Sequence, residues 1–238
     1  IFVMNCGVSW IESLPYSIIK GIYIDSLQFV ILLIILLLFL LMAELKRRRN
    51  LIPIMIMTSL FFLINVKNIM NNNKQSGIMI YSLNNMTAVD FINGREHLLL
   101  ADSAFWENKS AFSYNIENFL IRNGLFHNGK TRFIQDDFDD VFVKKRKSVV
   151  TFGGKLLAMC ENDVFLNDSL DYRIPVDYMF VYGKYKKDLS RLLRVYSFDN
   201  LIIDSSVPYY LSSEMIEEAE DFGIKCHTLR KEGAIFIE

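Results

Sequence analysis

Side chains able to do chemistry are few in this sequence, and they are scattered. Only three histidines occur, His97, His127 and His227, each isolated on a different expected element. A dinuclear metal centre built on imidazoles needs more of them, so each reads as a structural or surface residue. The run Asp136-Asp137-Phe138-Asp139-Asp140 offers carboxylate oxygens to a hard cation. It lacks the glycine and distal glutamate of an EF-hand loop and reads as a solvated acidic turn. Lys144-Lys145-Arg146-Lys147 follows directly. Either the two runs screen each other on adjacent surface, or the cations touch phosphates of a passing nucleic acid. Lys184, Tyr185, Lys186 and Lys187 combine cations with an aromatic ring, the composition used by single-strand binders, although a basic loop opening a helix is commonplace. Asp102-Ser103 and Asp204-Ser205-Ser206 close expected strands, where turns favour these residue types anyway. No nucleophile elbow, Walker loop or dinucleotide fingerprint occurs. The residues therefore assign no catalytic group, no metal ligand and no cofactor.

The three cysteines, Cys6, Cys160 and Cys226, form no CxxC pair. Zinc ribbons and disulfide frameworks are disfavoured, and buried free thiols are expected. A Cys160–Cys226 bridge stays open for a domain in an oxidising compartment.

The elements that must carry these residues divide the 238-residue chain unevenly. Residues 1–74 hold seven Lys/Arg against three acids, and the remainder holds 19 basic against 24 acidic residues. A net charge of −1 thus conceals a basic apolar segment joined to an acidic one. The acidity argues against a broad nucleic-acid platform, which is usually basic over one face, but leaves room for a local contact.

Leu27 to Ala43 reads LQFVILLIILLLFLLMA, with no charge and no polar stripe, and Leu51 to Val66 is a second apolar run with Pro53 in its first turn. Together they predict a transmembrane helical hairpin over 27–66. The turn between them carries Lys46, Arg47, Arg48 and Arg49. Short cationic loops stay on the cytoplasmic side, so both ends of the hairpin are expected to face outward. Residues 1–26, with Trp10, Tyr16 and Tyr23, read either as an interfacial segment or as the end of a truncated channel domain. The first residue is Ile, so a processed product or a piece of a longer protein is expected.

An Asn-rich linker is expected over 67–76, then a soluble domain over 77–238. Expected strands are 78–83, 88–92 and 97–101 around Asn93-Gly94, and 149–152 and 155–159 around Gly153-Gly154. A helix is expected over 113–123, stopped by Gly124. From 176 the pattern is strand 176–182, helix 188–196, strand 201–204, helix 212–222, and strands 225–229 and 234–237. Hairpins first and βαβ units later predict a layered α/β domain with a mixed sheet.

Several runs resemble the C-terminal part of ComEC-type competence proteins, membrane channels that carry transforming DNA inward as a single strand. They are Trp10-Ile11-Glu12-Ser13-Leu14-Pro15-Tyr16-Ser17, Ala88-Val89-Asp90-Phe91-Ile92, Leu100-Ala101-Asp102-Ser103, Val176-Asp177-Tyr178, Leu201-Ile202-Ile203-Asp204-Ser205-Ser206 and Glu232-Gly233-Ala234. The resemblance covers nearly the whole chain as a distributed pattern. It implies a metallo-β-lactamase-like outer domain, further channel helices upstream, and as partners a bilayer, the rest of the channel and single-stranded DNA. In many members a His-x-His-x-Asp-His loop follows the strand that matches Val176 to Tyr182 and implies a metal-dependent nuclease. Here that stretch is Tyr182-Gly183-Lys184-Tyr185-Lys186-Lys187-Asp188, with no histidine and three lysines. The expected function is a structural, DNA-contacting part of an uptake channel, with a non-catalytic domain outside the cytoplasmic membrane. Two alternatives stand beside it. One is a nuclease with an atypical site built from Asp102, the acids at 136–140 or Asp204. The other is a membrane-tethered scaffold with no DNA role.

Overall fold

The computed structural model describes residues 23–45, 51–126, 129–161, 172–185 and 188–238. The turn Lys46, Arg47, Arg48, Arg49, most of the 1–26 segment, Cys6, His127, Lys186 and Lys187 lie outside the described residues. The chain divides into two units, residues 1–72 with 120–127, and residues 73–119 with 128–238.

In the first unit, α1 (Ser26–Leu45) and α2 (Leu51–Asn72) are long and apolar enough to cross a bilayer. Their 20 and 22 residues extend about 30 and 33 Å at the α-helical rise. Leu and Phe side chains lie exposed around α1, and no residue of α2 is buried. The start of α1 is fixed locally. Gln28 accepts from the Asp25 backbone N–H at 2.9 Å while the Asp25 carboxylate accepts from Ser26 N–H at 2.8 Å, a reciprocal cap of orphan donors. The Gln28 that reads as a lone polar residue in an apolar run is thus a capping residue. Helix α2 runs on to Asn72, so most of the expected linker over 67–76 is helical.

The second unit is built on two sheets. Strands β1 (Ser76–Ile80), β2 (Ala88–Asn93) and β3 (Glu96–Ala101) form an antiparallel meander. A run of helices follows, α3 (Ser103–Glu107), α4 (Lys109–Asn115) and α5 (Glu117–Arg122), the last of which ends in residues counted with the first unit, and the chain returns as β4 (Gly129–Phe133) parallel to β3. Next come β5 (Phe138–Asp139), β6 (Val143–Arg146), β7 (Val149–Phe152) and β8 (Lys155–Cys160), joined antiparallel. The short β9 (Ile174–Pro175) precedes β10 (Tyr178–Val181), α6 (Leu189–Val195), β11 (Tyr196–Ser197) and β12 (Asn200–Ile203). The chain ends with α7 (Tyr209–Asp221), β13 (Lys225–Thr228), α8 (Leu229–Glu232) and β14 (Ile235–Ile237). One sheet has the order β14-β1-β2-β3-β4, the other β13-β12-β10-β8-β7-β6-β5, and β9 pairs with β11.

The strand period of two sets the layers. Ile78, Ile80, Val89, Phe91, Leu98 and Leu100 of the first sheet meet Val150, Leu157, Met159, Phe180 and Ile202 of the second in one buried core. The alternate residues Ala158, Cys160, Met179, Val181, Leu201 and Ile203 pack instead with Leu189, Leu192, Met215 and Ala219 of α6 and α7. Sheet on sheet with helices outside is the layered α/β architecture with mixed sheets expected from the pattern.

Several expected elements shift. The first hairpin turns at Gly94-Arg95, since Asn93 pairs with Glu96. The expected helix 113–123 is two shorter helices broken at Ile116, although it does stop at Gly124. There Leu125 N–H reaches Leu120 C=O and Gly124 N–H reaches Ile121 C=O at φ +68°, the bond pair that closes a helix on a glycine. Gly77 has a different use. A Cβ there would lie 2.5 Å from Phe236 Cζ and 2.6 Å from the Ile237 carbonyl oxygen. The ring can move, but the carbonyl is fixed in the β1–β14 ladder. Gly77→Ala is expected to lose about 1–3 kcal/mol in chemical denaturation, the usual cost of overpacking.

Candidate functional site

Strands β8, β10, β12 and β13 are mutually parallel, so their C-terminal ends open along one rim. In open parallel sheets this is where ligands bind. The loop after β1 and the ends of β2 and β3 reach the same rim. Thr87, just before β2, donates its hydroxyl to Asp204 Oδ2 at 2.5 Å, and Ser206 donates to the same oxygen at 2.5 Å. Ser206 Oγ also accepts from Gly183 N–H at 2.7 Å. Ser82 donates to the Leu229 carbonyl at 2.7 Å and lies 3.0 Å from Ser205 Oγ. Arg230 Nη2 donates to the carbonyls of Ser205 (2.5 Å) and Val207 (3.0 Å), pinning the loop that leads into α7. Ser82, Leu83, Asn84, Ser205 and Arg230 line an open cleft of about 320 Å³.

Two carboxylates stand at the rim in different states. Asp102 accepts from Phe105 N–H at 2.8 Å and from Thr87 N–H at 3.0 Å, so each oxygen is engaged by backbone. It caps α3 and ties β3 to β2. Asp204 is buried, its Oδ1 has no hydrogen-bond partner, and burial raises its pKa from 3.8 to about 6 against the lowering effect of its hydroxyl donors.

The sequence-derived candidates fare unevenly. Lys184 is exposed in the turn after β10. Tyr185 is buried at 2% exposure within the core beside α6 and α7, so its ring is no stacking surface. The side chains of Lys144, Lys145 and Arg146 face the acidic run as β6 folds back along it, whereas Lys147 meets that run through its backbone. Lys144 Nζ lies 3.2 Å and Arg146 Nη2 3.7 Å from Asp139. Lys147 N–H donates to Asp137 at 2.6 Å. Lys145 is buried, donates to the Asp136 carbonyl at 3.1 Å, and has its pKa lowered by that burial. These pairs put the two runs side by side, while the Lys144 and Arg146 side chains stay 61% and 75% exposed. Lys130 adds a bridge to Asp140 at 2.8 Å, which holds that carboxyl below its ordinary range.

Of the acids proposed for an atypical metal site, Asp102 and Asp204 meet at Thr87, but the 136–140 run does not join them. Asp136, Asp137, Asp139 and Asp140 belong to the β5–β6 end of the seven-stranded sheet. Asp204 follows β12, five strand spacings away, about 24 Å. Among the described residues no group of three His, Cys, Asp or Glu could hold a metal ion. His97 is buried with Nδ1 2.8 Å from Asp90 Oδ1, and His227 bonds the Gly233 carbonyl and Glu232. A hydroxyl-and-guanidinium rim does not fit a dinuclear centre, which takes imidazole and carboxylate donors. Cys160 and Cys226 are free thiols three strands apart, about 14 Å by strand spacing and beyond bridging distance. Burial pushes Cys160 up to about 12 and Cys226 up to about 11, which leaves both unreactive.

Residues 78–238 match the model of the ComEC C-terminal domain. The chain belongs to the ComEC C-terminal domain family. The matched region begins inside β1 and takes in the whole strand-end rim. Among solved structures the chain is similar to the metallo-β-lactamase fold protein YhfI from Bacillus subtilis, at 9% identity and a TM-score of 0.37, over 67% of this chain and 99% of that one. No curated protein matches. Membership places the chain in a competence and DNA-uptake family, which is membrane-associated.

Sequence reasoning did not single out Ser82, Thr87 or Arg230. Nothing in their local spacing marks them, since the rim is assembled from turns more than a hundred residues apart. The Asp204-Ser205-Ser206 run was the available signal, and its turn chemistry masked it.

Proposed function

We propose that this chain is the C-terminal portion of a membrane protein for uptake of transforming DNA. In this reading α1 and α2 cross the cytoplasmic membrane. The turn with Lys46, Arg47, Arg48 and Arg49 stays inside, held by its charge. The α/β unit then stands outside, beside channel helices supplied by the rest of the protein, and contacts the single strand without hydrolysing it. One observation carries the reading beyond the family. At the rim where a nuclease of this class would hold two cations, the side chains are hydroxyls, an arginine, Asp102 engaged by backbone N–H groups, and Asp204 buried under two hydroxyl donors.

Two measurements test it. Disrupting the gene in its host is expected to abolish entry of labelled DNA, and restoring the full-length protein to recover it. The purified chain, incubated with labelled single-stranded DNA and Mn²⁺ or Zn²⁺, is expected to leave the DNA intact. Metal-dependent cleavage lost on Asp102→Asn or Asp204→Asn substitution would establish the nuclease reading instead. Normal transformation without the gene would leave only a tethered scaffold.

A further inference from the structure

Tyr185, the aromatic that the sequence pairs with cations, is buried. The helix that leaves the rim nevertheless opens on two exposed aromatic rings, the first of them at the rim itself. Tyr209 and Tyr210 open α7 directly after Pro208 and are 59% and 62% exposed. Two tyrosines this open gain little for folding, since their rings remain in water. Tyr209 lines a small recess together with Arg230, Lys231 and Asp204. Arg230 also lines the larger cleft with Ser82, Asn84 and Ser205. One guanidinium therefore joins an aromatic step to a polar cleft.

The chemistry of this surface is specific. Arg230 uses one nitrogen on the two loop carbonyls, and a guanidinium has further donors beyond that nitrogen. Lys231 is exposed beside it, and exposed Lys184 follows Gly183, whose N–H is bonded to Ser206 of the same rim. Two of the neighbouring acids have other partners, while Glu161 lies against Gly183 and Glu214 stands one turn along α7 from Tyr210. Asp204 is buried under its two hydroxyl donors, and Glu232 accepts from Thr228 N–H and pairs with His227. Cations beside exposed aromatic rings, with a polar cleft of about 320 Å³ alongside, suit a phosphodiester chain whose bases are unpaired. A lipid chain would need an apolar lining, and a duplex would hide the base faces that the rings could stack on.

We infer that Tyr209 and Tyr210 form a stacking step for bases of single-stranded DNA, with Arg230 and Lys231 holding the adjoining phosphates. The inference rests on the DNA-contacting function proposed above and names the residues that carry it.

The test uses the full 238-residue chain in detergent micelles and fluorescence anisotropy of labelled oligonucleotides. The probes are a thymidine 15-mer, an abasic strand of equal length and a duplex. The thymidine strand is expected to bind most tightly. Tyr209→Leu and Tyr210→Leu should each weaken it by roughly 10-fold while leaving the abasic strand unchanged, because stacking needs a base. Lys231→Gln should reduce the slope of log affinity against log salt by about 0.7, one phosphate contact on a single strand. Both tyrosines lie in water, so their substitution leaves the fold intact, and near-ultraviolet circular dichroism checks this. Equal affinity of the double variant and the parent for the thymidine strand overturns the inference, as does equal binding of thymidine and abasic strands by the parent. Either result leaves the uptake function standing if transformation still needs the gene. Transformation that proceeds without the gene removes that function while the binding result stands separately.

Discussion

Replacing Asp90 by alanine is expected to destabilise the α/β unit by about 3–5 kcal/mol, because two buried polar groups lose their partner at about 1–3 kcal/mol each. Asp90 lies in the middle of β2 with no exposed surface. It is flanked by Val89 and Phe91, which face the core between the sheets, so its own side chain points to the opposite face. There Oδ1 lies 2.8 Å from His97 Nδ1 and Oδ2 accepts from the Tyr81 hydroxyl at 3.3 Å. Tyr81 and His97 are each only 3% exposed. Burial and the neighbouring carboxylate push the Tyr81 phenol far above its ordinary range, so it keeps its proton and donates. Without the carboxylate, a phenol and an imidazole would be left in an apolar layer with no water to satisfy them. The space cannot close over the loss, because Gly129 already lies against the imidazole so tightly that any Cβ there would collide with it. Asp90→Asn, which keeps an acceptor for one partner, is expected to cost less than the alanine variant. Thermal unfolding of the full chain in detergent measures both, with a Tm lowered by roughly 6–20 °C for Asp90→Ala at this chain length. Equal stability of Asp90→Ala and the parent would show that the cluster contributes nothing.

That cluster illustrates which parts of the fold local sequence can declare. Val149 to Phe152 and Lys155 to Cys160 are short apolar runs on either side of Gly153-Gly154, and the hairpin forms with Phe152 opposite Lys155. The strand–helix–strand rhythm from 176 onward also appears, with bounds moved by a residue or a few, because α6 and α7 bury one stripe and the strands between them are apolar throughout. β4 and β6 were not legible. Gly129–Phe133 is exposed at every position, so this edge strand has no apolar period and is held by its pairing with β3. Val143–Arg146 does alternate, but one of its two inward residues is Lys145, whose amine reaches the Asp136 carbonyl at 3.1 Å. A lysine turned inward hides a strand from any hydrophobicity pattern.

The site was less legible than the fold for a related reason. Local runs reveal charge, and the charged runs here lie side by side across the β5–β6 turn. The rim that faces outward is made of hydroxyls and one arginine brought together by the sandwich. Thr87 and Asp204 stand 117 positions apart, and Ser82 and the Leu229 carbonyl 147. The missing histidines were readable, since a missing ligand type is a property of composition. What replaces them was not, because it depends on which strand ends meet.

The second large effect concerns Asp204, whose substitution by asparagine is expected to change the pH dependence of stability. Two hydroxyls donate to Oδ2, while Oδ1 is buried without a partner. Burial favours the neutral acid and outweighs those hydroxyls together with the nearby Ser205 and Ser206 backbone N–H groups, so the folded-state pKa rises from 3.8 to about 6. An acid with a raised folded pKa binds more protons in the folded chain than in the unfolded one between the two values. Stability therefore falls as pH rises from about 4 to about 6, and at neutral pH the full deficit applies. Two units correspond to about 3 kcal/mol. Asparagine is close in shape to the protonated acid and does not titrate, so this slope should vanish in Asp204→Asn. The other carboxylates titrate alike in both proteins and cancel in the difference. Relative to the parent, the variant should gain about 2–3 kcal/mol between pH 4 and pH 7.5, whatever fixed cost the amide brings at both. Urea unfolding of parent and variant at those two pH values gives the difference directly. A variant that loses ground as pH rises would mean that the charged carboxylate is stabilised at the rim by a group other than Thr87 and Ser206. A variant that gains as expected would mean that the folded chain carries an unfavourable buried charge at neutral pH, in the recess that Asp204 lines with Tyr209 and Arg230. Charges kept at such a cost cluster at functional sites, and this one lies under the surface assigned here to the DNA strand.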